Sequence, residues 1–213
     1  MPAVFNNNQS EWRTDCEAVY PKALRMIDDC PTDDLANLQR TLSVHRYEHT
    51  LGVAKESIRL AIRFGCAPEK ACRAGLLHDC AKSMDRIDML KLIDGSEWDV
   101  GELERSIDSL LHAPAGAVLA RLFYRETDEE VLSAIRWHTI GKLGMSKLEK
   151  IVYLADLIEP NRKPFDGIDA IRQLSVNDLD HAVLAAAESS VRYVNMQGGT
   201  VHPNTLDLIK ALN

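Results

Sequence analysis

Apolar residues in this chain recur at intervals of three and four rather than two, and the two residues that most often interrupt a helix are scarce: 11 glycines and 8 prolines in 213 residues. That pattern restricts the fold to an all-helical one, because a stripe repeating every 3.6 residues buries one face of a helix and cannot line one face of a strand. With 46% hydrophobic and 27% charged side chains the chain has the material for one ordinary core, and no Pro/Gly/Ser-rich linker divides it.

Local signals place the helices. An amphipathic segment from Glu11 to Ile27 should break or kink at Pro21 and stop before Pro31. Thr32 is placed to cap a second helix, and a third from Val44 ends at Gly65. Pro68 suits the first turn of a fourth, which leads into His78-Asp79. Short helices are expected over Met84–Ile93, Glu102–Leu110 and Pro114–Tyr124. The capping-box spacings Thr127-x-x-Glu130 and Ser146-x-x-Glu149 start helices near Asp128 and Lys147, leaving Thr139–Gly144 as a loop. Asn177 is read as the cap of a long helix to Met196, stopped by Gly198-Gly199, with a short helix after Pro203.

Charge and cysteine content narrow the function. Lys and Arg total 25 against 32 Asp and Glu, a net charge of −7 that argues against nonspecific nucleic-acid binding. The first residues carry neither a basic nor an apolar leader segment, and no run approaches the roughly 20 apolar residues of a membrane span. A cytoplasmic protein is expected. Five cysteines without a C-x-x-C pair disfavour both a disulfide framework and a thiolate zinc site.

Histidines and aspartates carry the chemistry. His49, His78-Asp79, His112, His138 and Asp156 each fall on a different helix or helix edge, and helices of a bundle can converge on one point. Imidazole nitrogen with carboxylate oxygen suits iron, manganese, cobalt or zinc, whereas an all-oxygen magnesium or calcium site needs no histidine. Lys82 follows Asp79 by three residues and so shares its face, within reach of a bound phosphate. Arg46 precedes His49 by three on one face, and Arg162 and Lys163 are further phosphate candidates. The loop residues Thr139, Gly141 and Lys142 offer a hydroxyl, an amide and an ammonium suited to an oligophosphate. His45, His181 and His202 are assigned no ligand role, and Trp137 and Tyr153 fall where core packing is the safer reading.

The words around these residues are Arg46-Tyr47-Glu48-His49-Thr50-Leu51-Gly52, Gly75-Leu76-Leu77-His78-Asp79-Cys80-Ala81-Lys82, His138-Thr139-Ile140-Gly141-Lys142 and Leu154-Ala155-Asp156-Leu157-Ile158-Glu159-Pro160. From about Leu42 to the C-terminus the chain resembles the HD-domain superfamily of metal-dependent phosphohydrolases. Within it, the match is to the bacterial YqeK-type symmetrical bis(5'-nucleosyl)-tetraphosphatases. The resemblance implies an HD-domain helical bundle over residues 31–213, with residues 1–30 as a helical extension packed on it. It implies His49, His78, Asp79 and Asp156 as signature metal ligands, His112 and His138 as the further histidines of two-metal members, and Asp79 as a carboxylate able to bridge both ions. One or two ions, iron before manganese, cobalt or zinc, are the implied cofactor.

The implied reaction is cleavage of a dinucleoside tetraphosphate at its central anhydride, with Asp79 and Lys82 as catalytic groups and Arg46, Lys82, Thr139, Gly141, Lys142 and Arg162 on the substrate. The expected partner is a small nucleotide, with a homodimer as the possible assembly. Competing readings are another HD nucleotidase, a di-iron protein that activates dioxygen, and a non-catalytic nucleotide sensor. Cys80 and Thr139-Ile140-Gly141 depart mildly from the family pattern.

Overall fold

The computed structural model describes residues 8–213, with side chains from residue 11 onward; residues 1–7 of the expected extension lie outside the described residues. Among the described residues there are twelve helices and no strand. In chain order they are α1 (Asn8–Asp28), α2 (Thr32–Thr41), α3 (Val44–Phe64), α4 (Pro68–Leu77), α5 (Arg86–Asp94) and α6 (Glu102–Ser106). There follow α7 (Asp108–Leu122), α8 (Glu129–Trp137), α9 (Lys147–Ile158), α10 (Ile168–Asn177), α11 (Leu179–Met196) and α12 (Pro203–Leu212). None of these is long and apolar enough to cross a membrane.

Where a boundary is written in the adjoining residues, it stands as expected. Ser43 caps α3 by accepting from the amide of Arg46, and Gly65, at φ 64°, ends it in the left-handed conformation that costs a glycine little. Ser146 and Glu149 form the reciprocal capping box of α9. Other boundaries differ. Pro21 does not break α1, which runs on to Asp28. Pro31 rather than Thr32 precedes α2.

The helix expected over Glu102–Leu110 stops at Ser106. The chain turns extended at Ile107, and α7 then passes straight through Pro114, which was expected to start a helix. A proline in a helix interior forfeits one hydrogen bond. Here the burial of Leu111, His112, Ala113 and Ala115 around it offsets that loss. Asp128, not Thr127, caps α8. Asn177 ends α10, a helix the sequence did not announce, and Asp178 caps α11.

The central element is α3, buried on nearly every side and packed by α1, α4 and α9. Gly75 lets α4 reach it: a Cβ there would stand 2.8 Å from the Ala54 Cα. That backbone contact lies one turn before His78, so it fixes how far His78 stands from α3. The main core runs through Leu38, Ile58, Leu77, Leu132, Ile151 and Val183. A smaller one joins Met89 and Ile93 of α5 to Leu111 and Ala115 of α7.

The N-terminal helix is fastened to α3 by a buried polar network. Glu56 and Arg59, both 0% exposed, pair at 2.7 Å. Trp12 Nε1 and Tyr20 OH donate to the Glu56 carboxylate at 3.2 and 2.8 Å. Arg59 also donates to Asp15 at 2.5 Å and to Ser175 Oγ at 2.8 Å, drawing α10 into the same knot. Burial, then the Glu56 charge, pushes the neighbouring Cys16 thiol up to about 12. Removing one partner of such a pair strands the other charge. Glu56→Ala should therefore cost about 3–5 kcal/mol in urea unfolding, against about 0.5 kcal/mol or less for breaking the exposed Lys91–Asp88 pair. A loss below 1 kcal/mol for Glu56→Ala would mean that the network contributes little.

Candidate metal centre

Five segments deliver one side chain or pair each to a common point. α3 presents Arg46 and His49 on one face. α4 ends at Leu77, and the chain then tightens into successive turns, Cys80 N donating to Leu77 O at 3.1 Å and Lys82 N to Asp79 O at 2.9 Å. In a continuous helix His78 and Asp79 would diverge by about 100°; here their tips meet, His78 Nε2 lying 3.5 Å from Asp79 Oδ2. His112 comes from α7, His138 from the C-terminal cap of α8, and Asp156 from the last turn of α9. His49, His78, Asp79, His112 and His138 are at least 96% buried.

Asp79 stands between two groups of possible donor atoms. Its Oδ2 lies 3.5 Å from His78 Nε2 and 3.9 Å from His49 Nε2, and its Oδ1 lies 3.0 Å from His112 Nε2 and 3.8 Å from His138 Nε2. Asp156 Oδ1 closes the first side, 3.0 Å from His49 Nε2 and 3.9 Å from His78 Nε2. The two sets His49/His78/Asp79 and Asp79/His112/His138 each offer three donor atoms close enough to share one ion.

The donor chemistry fits a transition metal. His78 and His138 direct Nδ1 at the carbonyls of Gly75 and Ile135, both at 2.7 Å, and His49 directs Nδ1 at Glu159 Oε1 at 3.1 Å. In the neutral ring the nitrogen facing an oxygen acceptor carries the proton, which turns the Nε2 lone pair inward as a ligand. Nε2 of His49 and of His78 are buried there without a hydrogen-bond partner. Buried polar atoms are almost always bonded, so two aimed at one spot are the strongest sign of a ligand position.

Electrostatics follow from the crowding. Burial pulls the His49 imidazole down, but the Asp156 and Glu159 carboxylates outweigh it and lift its pKa to about 9. Burial, then the neighbouring His78 and His112, depress His138 to about 3. For Asp79 burial works upward, yet contacts with His78 and His112 hold the carboxyl well below its usual range. Burial lowers Lys82, whose Nζ lies 3.1 Å from both nitrogens of His112 and 3.9 Å from Asp79 Oδ1.

One side is open and cationic. Arg46, 29% exposed, reaches Asp79 Oδ2 at 2.7 Å; Lys82 is 29% exposed; and Arg162, 36% exposed, lies 3.8 Å from Asp156. The Thr139–Gly144 loop makes contacts of its own. Lys142 pairs with the buried Glu149 at 2.8 Å, near the N-terminus of α9. Gly141 donates its amide to Trp137 O at 2.9 Å, and a Cβ there would stand 2.6 Å from Leu208 of α12. Thr139 Oγ1 is buried and unbonded. His45 and Lys163 are exposed, His181 pairs with Asp178, and His202 caps α12. Glu159, given no role in the sequence reading, is 1% exposed and stands directly behind His49.

The chain is similar to known proteins. The family model described as "HD domain" matches residues 46–161. A Bacillus subtilis (strain 168) protein named "Bis(5'-nucleosyl)-tetraphosphatase, symmetrical" is 39% identical over 171 residues, covering 80% of this chain and 91% of the relative. One of the same name from Staphylococcus aureus is 34% identical, covering 79% and 87%. A Clostridium acetobutylicum crystal structure, titled as a predicted HD superfamily hydrolase involved in NAD metabolism, is 37% identical with a TM-score of 0.80, covering 84% of this chain and 95% of that one. With the family model spanning more than half of its length and the metal-capable residues inside or beside the match, the chain belongs to the HD domain family.

Proposed function

We propose that the protein is a metal-dependent hydrolase that splits dinucleoside tetraphosphates at the central anhydride, turning diadenosine tetraphosphate and water into two ADP. The observation that carries the reading is the pairing of a six-residue donor set, buried except for the partly exposed Asp156, with a rim made of Arg46, Lys82 and Arg162. A rim of three cations in a chain of net charge −7 selects a local polyanion, and the tetraphosphatase names of relatives 34–39% identical over most of both chains supply its class. Residues 31–213 form the catalytic domain in this reading, with the N-terminal helix as an extension packed on it.

His49, His78, Asp79 and Asp156 would hold one ion, and Asp79, His112 and His138 the other, iron being the metal we favour for this nitrogen and oxygen set and manganese, cobalt and zinc its competitors. Divalent ions held there supply the Lewis acidity that neutralises phosphoryl charge and makes water a usable nucleophile near neutral pH. The chain's own residues do the rest. Arg46 and Arg162, at the open edge, orient the phosphate chain by charge-assisted hydrogen bonds. Lys82 stands where its ammonium stabilises the charge that gathers on the departing nucleoside diphosphate. The walls of α3, α4, α7 and α8 exclude water from every side but that edge. Attack at either inner phosphorus breaks the central P–O–P link, and both routes give two nucleoside diphosphates. A cytoplasmic setting suits a nucleotide substrate and five cysteines that form no disulfide.

Four outcomes test this. Incubated with diadenosine tetraphosphate, the metal-loaded protein should release ADP alone; ATP together with AMP would rule out central cleavage. Asp79→Ala should abolish both metal retention and turnover, whereas Lys82→Ala should keep the metal and lose about 10²–10³ in kcat; equal metal loss in the two would contradict separate roles. A His78→Ala protein stripped of metal yet still turning over nucleotide would end the catalytic proposal. Because the His49 proton, held up to a pKa of about 9, must leave before its nitrogen can coordinate, apparent metal affinity should rise about tenfold per pH unit up to pH 9 and then level, with proton release detectable by calorimetry in buffers of different ionisation enthalpy.

A further inference from the structure

Four imidazoles face Asp79, but they are not equally supported. His78 and His138 are oriented by backbone carbonyls at 2.7 Å, which any helix terminus supplies. His112 has the Lys82 ammonium 3.1 Å from its ring nitrogens, a charge that opposes a cation. His49 alone has a carboxylate behind it. Glu159 is itself fixed: its Oε2 accepts from the amide of Asn161 at 2.6 Å, and its backbone carbonyl accepts from Arg172 at 2.7 Å. Gly52, one turn along α3 from His49, provides the room, since a Cβ there would stand 2.4 Å from Glu159 Oε2 and 3.1 Å from its Cδ.

We propose that Glu159 is a positioning residue for His49, admitted by the missing side chain of Gly52, and that it makes the His49/His78/Asp156 side of the centre the tighter of two unequal metal positions. The inference rests on the metal-centre reading above and extends it to a residue outside both ligand sets. An anion hydrogen-bonded to the far nitrogen fixes a ligating imidazole's tautomer and raises its basicity, and loss of such a partner typically weakens metal affinity about 10–100-fold. Charge acts in the same direction. Besides the shared Asp79, one side sets the Asp156 and Glu159 carboxylates against Arg46 and Arg162, while the other has the Lys82 ammonium with no carboxylate of its own.

The test titrates the metal-free full-length chain with cobalt(II), following visible absorption and competition with a chelator. The wild type should show two classes of site. Glu159→Gln, nearly isosteric, should weaken the tighter class by about 10–100-fold, alter its absorption band and leave the weaker class in place. Gly52→Ala should do the same with every charge retained, and it decides the matter alone if the glutamine variant fails to fold. An unchanged tight class in both variants, an equal shift of both classes, or a single class in the wild type overturns the inference. If His49→Ala also left the tight class intact, the metal-centre reading itself would fall, which separates the two failures.

Discussion

A single carboxylate organises this protein. Asp79 is 2% exposed, and each of its oxygens faces a different pair of imidazoles, so every element that bears on the centre is arranged around it. A buried charge of this kind is tolerable only with counter-charge or metal close by. Arg46 and the histidines provide it from three helices distant in sequence. The demand extends outward. Gly75 must lack a side chain so that α4 can lie against α3 one turn before His78.

Two polar centres lie along α3, and their difference separates scaffold from site. Toward its C-terminal half Glu56 and Arg59 are buried but answered by Trp12, Asp15, Tyr20 and Ser175. Near its N-terminus His49 keeps an unbonded Nε2 beside that of His78. A satisfied network specifies a packing arrangement; an unsatisfied one, costly to maintain, marks a place where something binds.

Much of this was legible in the sequence because the signals are local. Ser146 and Glu149 write the start of α9 within four residues, and Gly65 writes the end of α3. The candidate ligand histidines stood out because few residue types do metal chemistry and the words around them resemble one family. Elsewhere local signals lost to tertiary packing. Pro114 sits inside α7 because the surrounding burial offsets its missing hydrogen bond. Lys142 and Gly141, read as part of a phosphate loop, also have partners that the local sequence does not announce, Glu149 for one and Leu208 of α12 for the other. Glu159 was quoted within its motif and given no role, since only the fold reveals which imidazole it stands behind.

The knot around Glu56 also limits how the chain can drift over evolutionary time. Trp12, Asp15, Tyr20, Glu56, Arg59 and Ser175 share one set of hydrogen bonds across three helices, so a lone substitution at Glu56 or Arg59 strands a charge in the interior, whereas a coordinated replacement by apolar residues of similar volume need not. These positions are thus expected to be inherited as a block, and the N-terminal helix, although it precedes the matched HD domain segment, is tied to that block's history.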